Sequence, residues 1–394
     1  MKRIAIFCDG TWNRSDAPNP TNVVKLAQAA QRTSSDGHKQ VVFYHRGVGT
    51  GAGLGRVSKK VDQWFGGAFG AGLTENVQDA YRALVFAYEP GDEIYLFGFS
   101  RGAYTARSLA GLIRASSIFD VDHVGAIPEA LTRYRSRDED TKPDSEASFE
   151  FRAKYAPSVV TSEKEADWRR ERGRTDFQQL RITYVGVWDT VGALGVPQHL
   201  SALAKVFNKK FDFHDTSLSR SVAAARHAVA LDERRVTFPP ALWGNVAKLN
   251  AEAPSEGDDV PYRQEWFPGD HGSVGGGGDV VGLSNAALLW IAEGAATQGL
   301  EFDVHALNAF ETECDHRVSL RNVSEPGFSV MDKLTRLKLE DRDGPEEPQR
   351  AAHSTVARYR EPAQNLYERV PYRPGSLARV EASLTPAEGG TRRA

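Results

Sequence analysis

The sequence is short of several things that define protein classes. Only two cysteines, Cys8 and Cys314, occur in 394 residues. That is neither a disulfide framework nor a metal knuckle; Cys8, inside an apolar run, reads as a buried thiol and fits a reducing compartment. No stretch approaches the roughly 18 uncharged apolar residues of a spanning helix, so none is expected. The N-terminal MKRIAIFCDGT has an apolar run that stops at Asp9, too short for the core of a signal peptide. The expected location is therefore cytoplasmic, or outside the cell without a classical signal. Charge of one sign is lacking too: a formal net charge of -3 and a pI near 6.4 give no basic footprint, so nucleic acid is not an expected partner. Internal repeats are also absent.

Glycine, by contrast, is abundant at 36 residues, and 40% of the chain is hydrophobic. That supports a sizeable core in one large α/β domain with insertions, or in two domains. The glycines of Gly47–Gly55 alternate with other residues. They lack a G-K-[ST] ending and the G-x-G-x-x-G spacing, so a loop near a site mouth is expected rather than a nucleotide cradle. For the glycine-aromatic patch Trp64–Leu73, peripheral membrane contact and core packing both remain open.

Apolar runs predict strands at Ile4–Cys8, Val41–Tyr44, Ile94–Phe99, Arg181–Trp188 and Arg263–Phe267. Periodicity predicts helices at Asn22–Arg32, Thr74–Tyr88, Ala103–Ile113, Leu218–Ala230 and Leu283–Gln298. The alternation argues for a mostly parallel central sheet with helices on both faces. Charged residues 120–180 read as a helical insertion. Residues 331–394 read as a C-terminal extension, with Asp341–Gln349 a linker or exposed turn and the last dozen residues disordered.

The chemistry centres on Gly98-Phe99-Ser100-Arg101-Gly102, a G-x-S-x-G between an apolar strand and a helix. This is the context of a nucleophile elbow, in which a strained turn exposes a serine at the C-terminal sheet edge. Such a serine needs a base, and the base needs an orienting carboxylate, in chain order Ser, acid, His. Asp189 follows a strand and qualifies as the acid, with Asp232 a weaker alternative. His271 follows the last strand and precedes four glycines, Gly275–Gly278, that let a loop bend over the site. His123 precedes Asp189, His214 lies between Phe213 and Asp215, His227 sits inside the helix expected over Leu218–Ala230, and His305 and His316 fall after the last strand expected. Backbone donors for the oxyanion are expected from the N–H of Arg101 and from Gly10 or Thr11. No cofactor or metal is called for. The one metal-dependent alternative is a phosphoester hydrolase with Asp9 as nucleophile, but the second carboxylate expected two residues on is Thr11. A catalytically weak scaffold with the same fold is the other alternative.

CDGTWN at 8–13, GFSRGAYTAR at 98–107, VGVWDTVGALG at 185–195, HAVALDERR at 227–235 and WFPGDHGSVGGG at 266–277 together resemble the α/β-hydrolase family catalogued as domain of unknown function 2235. The resemblance spans roughly residues 3–300. It implies an α/β-hydrolase-like fold over 1–330, a serine esterase or lipase, and the triad Ser100, Asp189 and His271. Members include phospholipase effectors of type VI secretion. A lipid or small ester substrate is thereby implied, as is a secretion or immunity partner that the sequence itself does not display. One departure is Ser273, where the family usually has aspartate.

Overall fold

The computed structural model describes residues 1–10, 17–46, 68–191, 217–236, 238–253, 260–322 and 339–385, with 68–71 described by backbone alone. Thr11, the glycines at 47–55, the aromatic patch as far as residue 67, the segment 207–213 and the last nine residues lie outside the described residues.

Six strands form one sheet: β1 (Lys2–Cys8), β2 (Lys39–His45), β3 (Glu93–Phe99), β6 (Ile182–Trp188), β7 (Val222–Ala230) and β8 (Tyr262–Phe267), in the order β2-β1-β3-β6-β7-β8. Every pairing within it is parallel. The two-residue strands β4 (Val159–Val160) and β5 (Gln178–Gln179) pair separately. Side chains alternate across the sheet. Ile4, Ile6, Ile94, Leu96, Val185 and Val187 enter one core with Leu109 and Leu112. Ala5, Phe7, Tyr95, Phe97, Tyr184 and Trp188 enter the other with Leu288 and Ile291. Both faces of the sheet are thus covered, which is why its strands read as near-continuous apolar runs.

The order has a consequence for function. The chain runs from β1 outward to β2, then crosses back to β3 and proceeds the other way. Parallel sheets hold their sites outside the carboxyl ends of the strands at such a reversal. Gly10 follows β1 and Ser100 follows β3, so both stand there.

The helix expected over Leu218–Ala230 is instead mostly strand β7. VAAARHAVA has good helix formers, but β7 lies between β6 and β8 with both faces covered. Ala224, Ala228 and Ala230 face the large aromatics of one core while Val222 and Ala225 face the other. Tertiary packing overrides an alanine-based helix preference here. In the charged stretch, helices Ile127–Arg135, Glu146–Tyr155 and Glu163–Glu171 form as expected. The C-terminal residues 339–385 pack on the sheet edge, where Tyr359, Leu366, Tyr372 and Leu377 share a core with Val229, Leu231 and Trp266.

Candidate active site

Ser100 stands between β3 and the helix Arg101–Ser116, with φ 58° and ψ -118°. An L-residue adopts that conformation only when its surroundings impose it. Two glycines permit it. A Cβ on Gly102 would collide with the backbone of Cys8 and Asp9, and one on Gly98 with the backbone of Gly102. The G-x-S-x-G spacing therefore lets the elbow helix lie directly against the ends of β1 and β3. The Ser100 N–H donates to Trp188 O at 3.1 Å, tying the elbow to the end of β6.

Asp189 follows β6 directly, also at positive φ (33°), and is fully buried. His271 opens a single helical turn, His271–Gly275, capped by Asp270 accepting from Ser273 N–H. The four glycines thus do not make a free loop: Gly275 ends this turn, and its missing side chain leaves room for the Phe99 ring. That ring lies 4.6 Å from the imidazole, and Phe238 approaches the same imidazole at 5.1 Å.

The three side chains meet. His271 Nδ1–H donates to Asp189 Oδ2 at 2.6 Å, and His271 Nε2 accepts from Ser100 Oγ–H at 2.8 Å. A carboxylate only accepts, which assigns the ring proton to Nδ1 and leaves Nε2 as an acceptor. Asp189 Oδ1 accepts from Ala230 N–H at 2.9 Å. Burial alone would push the Asp189 carboxyl up. The Arg342 charge and the hydrogen bonds from His271 and Arg342 together outweigh burial and hold it well below the usual carboxylate range.

Arg342 escapes a sequence reading. It lies in the stretch that reads as a linker, yet its guanidinium reaches both oxygens of Asp189, at 2.7 and 3.1 Å. Nothing local in EDRDGPEE marks it. His227 is a second such residue: it accepts from Thr190 N–H and lies in strand β7, not in a helix. The other candidates fall elsewhere. Asp232 accepts from Gly269 N–H and Tyr372 O–H, each at 2.7 Å, and its carboxylate has no bond to His271. His123 meets the Tyr155 ring edge-to-face, and His316 pairs with Glu361. Ser273 is fully buried, and its Oγ–H donates to Leu320 O at 2.9 Å, so the serine at the family's aspartate position shapes the turn that carries His271.

Arg101 is the first residue of the elbow helix, where N–H groups lack intrahelical acceptors. Gly10 donates its N–H to its neighbour Asp9 Oδ1 at 2.7 Å, which commits one of the two donors expected from this loop. Asp9 is buried and also accepts from Thr21 at 2.9 Å and Tyr44 at 2.8 Å. Those bonds make it a loop anchor. Among the described residues no three His, Cys, Asp or Glu side chains gather as a metal site. Among them, too, no helix is long and apolar enough to cross a membrane.

A parallel α/β sheet with a strained serine elbow at its switch point defines the α/β-hydrolase class of architecture. Within that class, residues 2–294 match the family described as type VI secretion system phospholipase effector Tle1-like, catalytic domain, and the chain belongs to it. Family membership supports a lipid hydrolase. An uncharacterized protein of Saccharomyces cerevisiae is 28% identical over 246 residues, 60% of this chain and 32% of that protein. Among solved structures, an uncharacterized protein from Pseudomonas aeruginosa aligns over 79% of this chain and 48% of its own, at 17% identity and a TM-score of 0.41. The Tle1 effector bound to the VgrG spike aligns over 72% and 52%, at 16% identity and a TM-score of 0.34. The chain thus spans from a third to about half of these relatives.

Proposed function

We propose that the protein is a serine hydrolase cleaving a carboxylic ester of a phospholipid, with Ser100 as nucleophile, His271 as base and Asp189 as the orienting acid. The observation that carries this reading is the unbroken relay Ser100 Oγ–H to His271 Nε2 and His271 Nδ1–H to Asp189, at 2.8 and 2.6 Å. The phospholipid comes from the family to which the chain belongs.

In this mechanism Ser100 Oγ attacks the ester carbonyl carbon as its proton passes to His271 Nε2. The imidazolium that forms is stabilised by Asp189, which keeps its charge. The carbonyl oxygen becomes an oxyanion and accepts from Arg101 N–H; Thr11, the other donor expected from the loop after β1, lies outside the described residues. One well-placed donor contributes about 3–4 kcal/mol to the transition state. Collapse of the tetrahedral intermediate breaks the bond to the alkoxide, which leaves with the proton from His271. Water, giving its proton to the same nitrogen, then attacks the acyl-Ser100 ester. The released fatty acid and the regenerated Ser100 hydroxyl close the cycle. Delivery to a target membrane by a secretion partner is compatible with this chemistry and separate from it.

A fluorophosphonate probe tests the reading directly. Wild type should label, Ser100→Ala should not, and His271→Ala and Asp189→Asn should react slower by about 10⁴-fold. Labelling that persists in the Ser100 variant sinks the nucleophile assignment. Fatty acid release from phosphatidylglycerol and phosphatidylethanolamine vesicles then tests the substrate. Labelling without release from either moves the substrate to another ester.

A further inference from the structure

Asp189 has two oxygens and four donors. Oδ1 takes Ala230 N–H at 2.9 Å and Arg342 Nη1 at 2.7 Å; Oδ2 takes His271 Nδ1 at 2.6 Å and Arg342 Nη2 at 3.1 Å. A carboxylate offers about four lone-pair sites, so all are filled. The Arg342 fork continues past the carboxylate, Nη1 donating to Ala230 O and Nη2 to Phe238 O, each at 2.7 Å. The two side chains are 5% and 0% exposed.

We propose that Arg342 is a positioning residue of the hydrolytic site, clamping Asp189 bidentately, and that the C-terminal segment thereby completes the catalytic centre. This rests on the serine-hydrolase reading above. A planar guanidinium across both oxygens fixes the plane of the carboxylate, which rotation about its last bond would otherwise change. The plane of Asp189 in turn sets the plane of the His271 imidazole and the direction of Nε2 toward Ser100. Arg342 also supplies a positive charge to a carboxylate whose other bonding partners are a neutral imidazole and a backbone amide. Without it the acid would be buried and uncompensated.

The clamp is held from both sides. Before it, Leu339 bridges Arg235, Glu340 N–H donates to Arg234 O at 2.9 Å, and Arg234 pairs with Asp341 at 2.7 Å. After it, Ala352 N–H donates to Trp266 O at 3.0 Å and the segment enters the core over β7 and β8. The same segment steadies the base. Glu368 accepts Leu320 N–H at 2.9 Å, and Leu320 O accepts Asp270 N–H and Ser273 Oγ–H, at 3.2 and 2.9 Å, on either side of His271. Arg342 lies beyond residue 294, where the family match ends, so the match alone does not include every residue of the site.

The test compares full-length wild type, R342Q, R342K and S100A for fluorophosphonate labelling and ester turnover, with melting curves on the same samples. R342Q should lose roughly 10- to 100-fold in kcat and labelling rate, the range that outer-shell partners cost, with KM unchanged. R342K, which keeps the charge without the fork, should fall between it and wild type. If wild type fails to label or S100A labels, the serine-hydrolase reading falls. If those two behave as expected while R342Q and R342K both react at the wild-type rate, the Arg342 proposal alone falls. A loss that merely tracks the unfolded fraction also overturns it. Should R342Q not fold, R342K decides: a slower rate at unchanged KM supports the clamp, and a wild-type rate overturns it.

Discussion

Thr190 donates its N–H to His227 Nε2 at 3.2 Å, and this bond settles the state of a buried imidazole. Nδ1 must then carry the ring proton, which it gives to Gln264 Oε1 at 3.0 Å. Burial pushes the His227 imidazole down to about 3, so it stays neutral at any working pH. It pins the residue next to Asp189, which holds a positive φ of 33°. His227→Phe fills much of the space and leaves the Thr190 N–H without an acceptor. The expected cost is about 1–3 kcal/mol of stability, with slower labelling of Ser100. Urea unfolding and probe kinetics measure both, and an unchanged midpoint with an unchanged rate contradicts the assignment.

The elbow makes a sharper demand. A methyl at Gly102 would overlap the backbone of Cys8 and Asp9, and backbone in the middle of a parallel sheet has nowhere to move. Gly102→Ala should cost at least about 2–3 kcal/mol and displace Ser100. Gly173→Ala controls for a glycine with open space but positive φ, and should lose stability without changing the labelling rate of the folded protein. Equal labelling rates for folded Gly102→Ala and wild type would show that the close approach does not position the serine.

How much of this is legible in the sequence depends on how local the cause is. β1, β3 and β6 are apolar runs ended by Asp9-Gly10, Ser100 and Asp189, so both the strands and the residues at their ends can be read directly. The convergence of Ser100, Asp189 and His271 then follows from a topological rule, because each leaves the same edge of one sheet. β7 is not legible: its alanines favour a helix, and only the neighbouring strands make it extended. Arg342 is still less so, because its partner lies 153 residues earlier and its surroundings are those of any exposed turn. Gly10 fails as a simple donor for a local reason instead: its neighbour Asp9 takes the N–H, a side-chain orientation that residue type alone does not fix.

In the charged stretch 120–180, Arg152 and Glu165 are both fully buried and pair at 2.8 Å, with Arg169 completing the cluster at 2.7 Å. Arg152 also donates to Ala115 O and Pro143 O, joining this stretch to the end of the elbow helix. Glu165→Gln removes the one carboxylate between two guanidinium groups. Breaking a buried pair in this way costs about 3–5 kcal/mol, and thermal or urea unfolding should show that loss. The remaining folded protein should label at the wild-type rate, since no group of this cluster touches Ser100, Asp189 or His271. A slower rate in fully folded Glu165→Gln would mean that this stretch shapes the site.

Asp232 gives a prediction with a definite sign. Burial pushes its carboxyl up to about 6, against opposing hydrogen bonds from Gly269 N–H and Tyr372 O–H. The unfolded chain titrates near 3.8, so between these values the folded protein binds more protons than the unfolded one. Stability from this group is therefore present at low pH and lost as pH rises through about 6. Asp232→Asn keeps an oxygen for both donors but cannot titrate. Between pH 4 and pH 7, the stability of wild type minus that of Asp232→Asn should fall by about 2 kcal/mol. Asp189, whose carboxyl is held low, acts in the opposite sense and at lower pH, and it is common to both proteins. Urea unfolding at several pH values measures the difference. A constant difference across that range would mean that Asp232 is ionised in the fold and that Gly269 and Tyr372 hold a carboxylate, leaving the turn before His271 anchored by charge instead of by a proton.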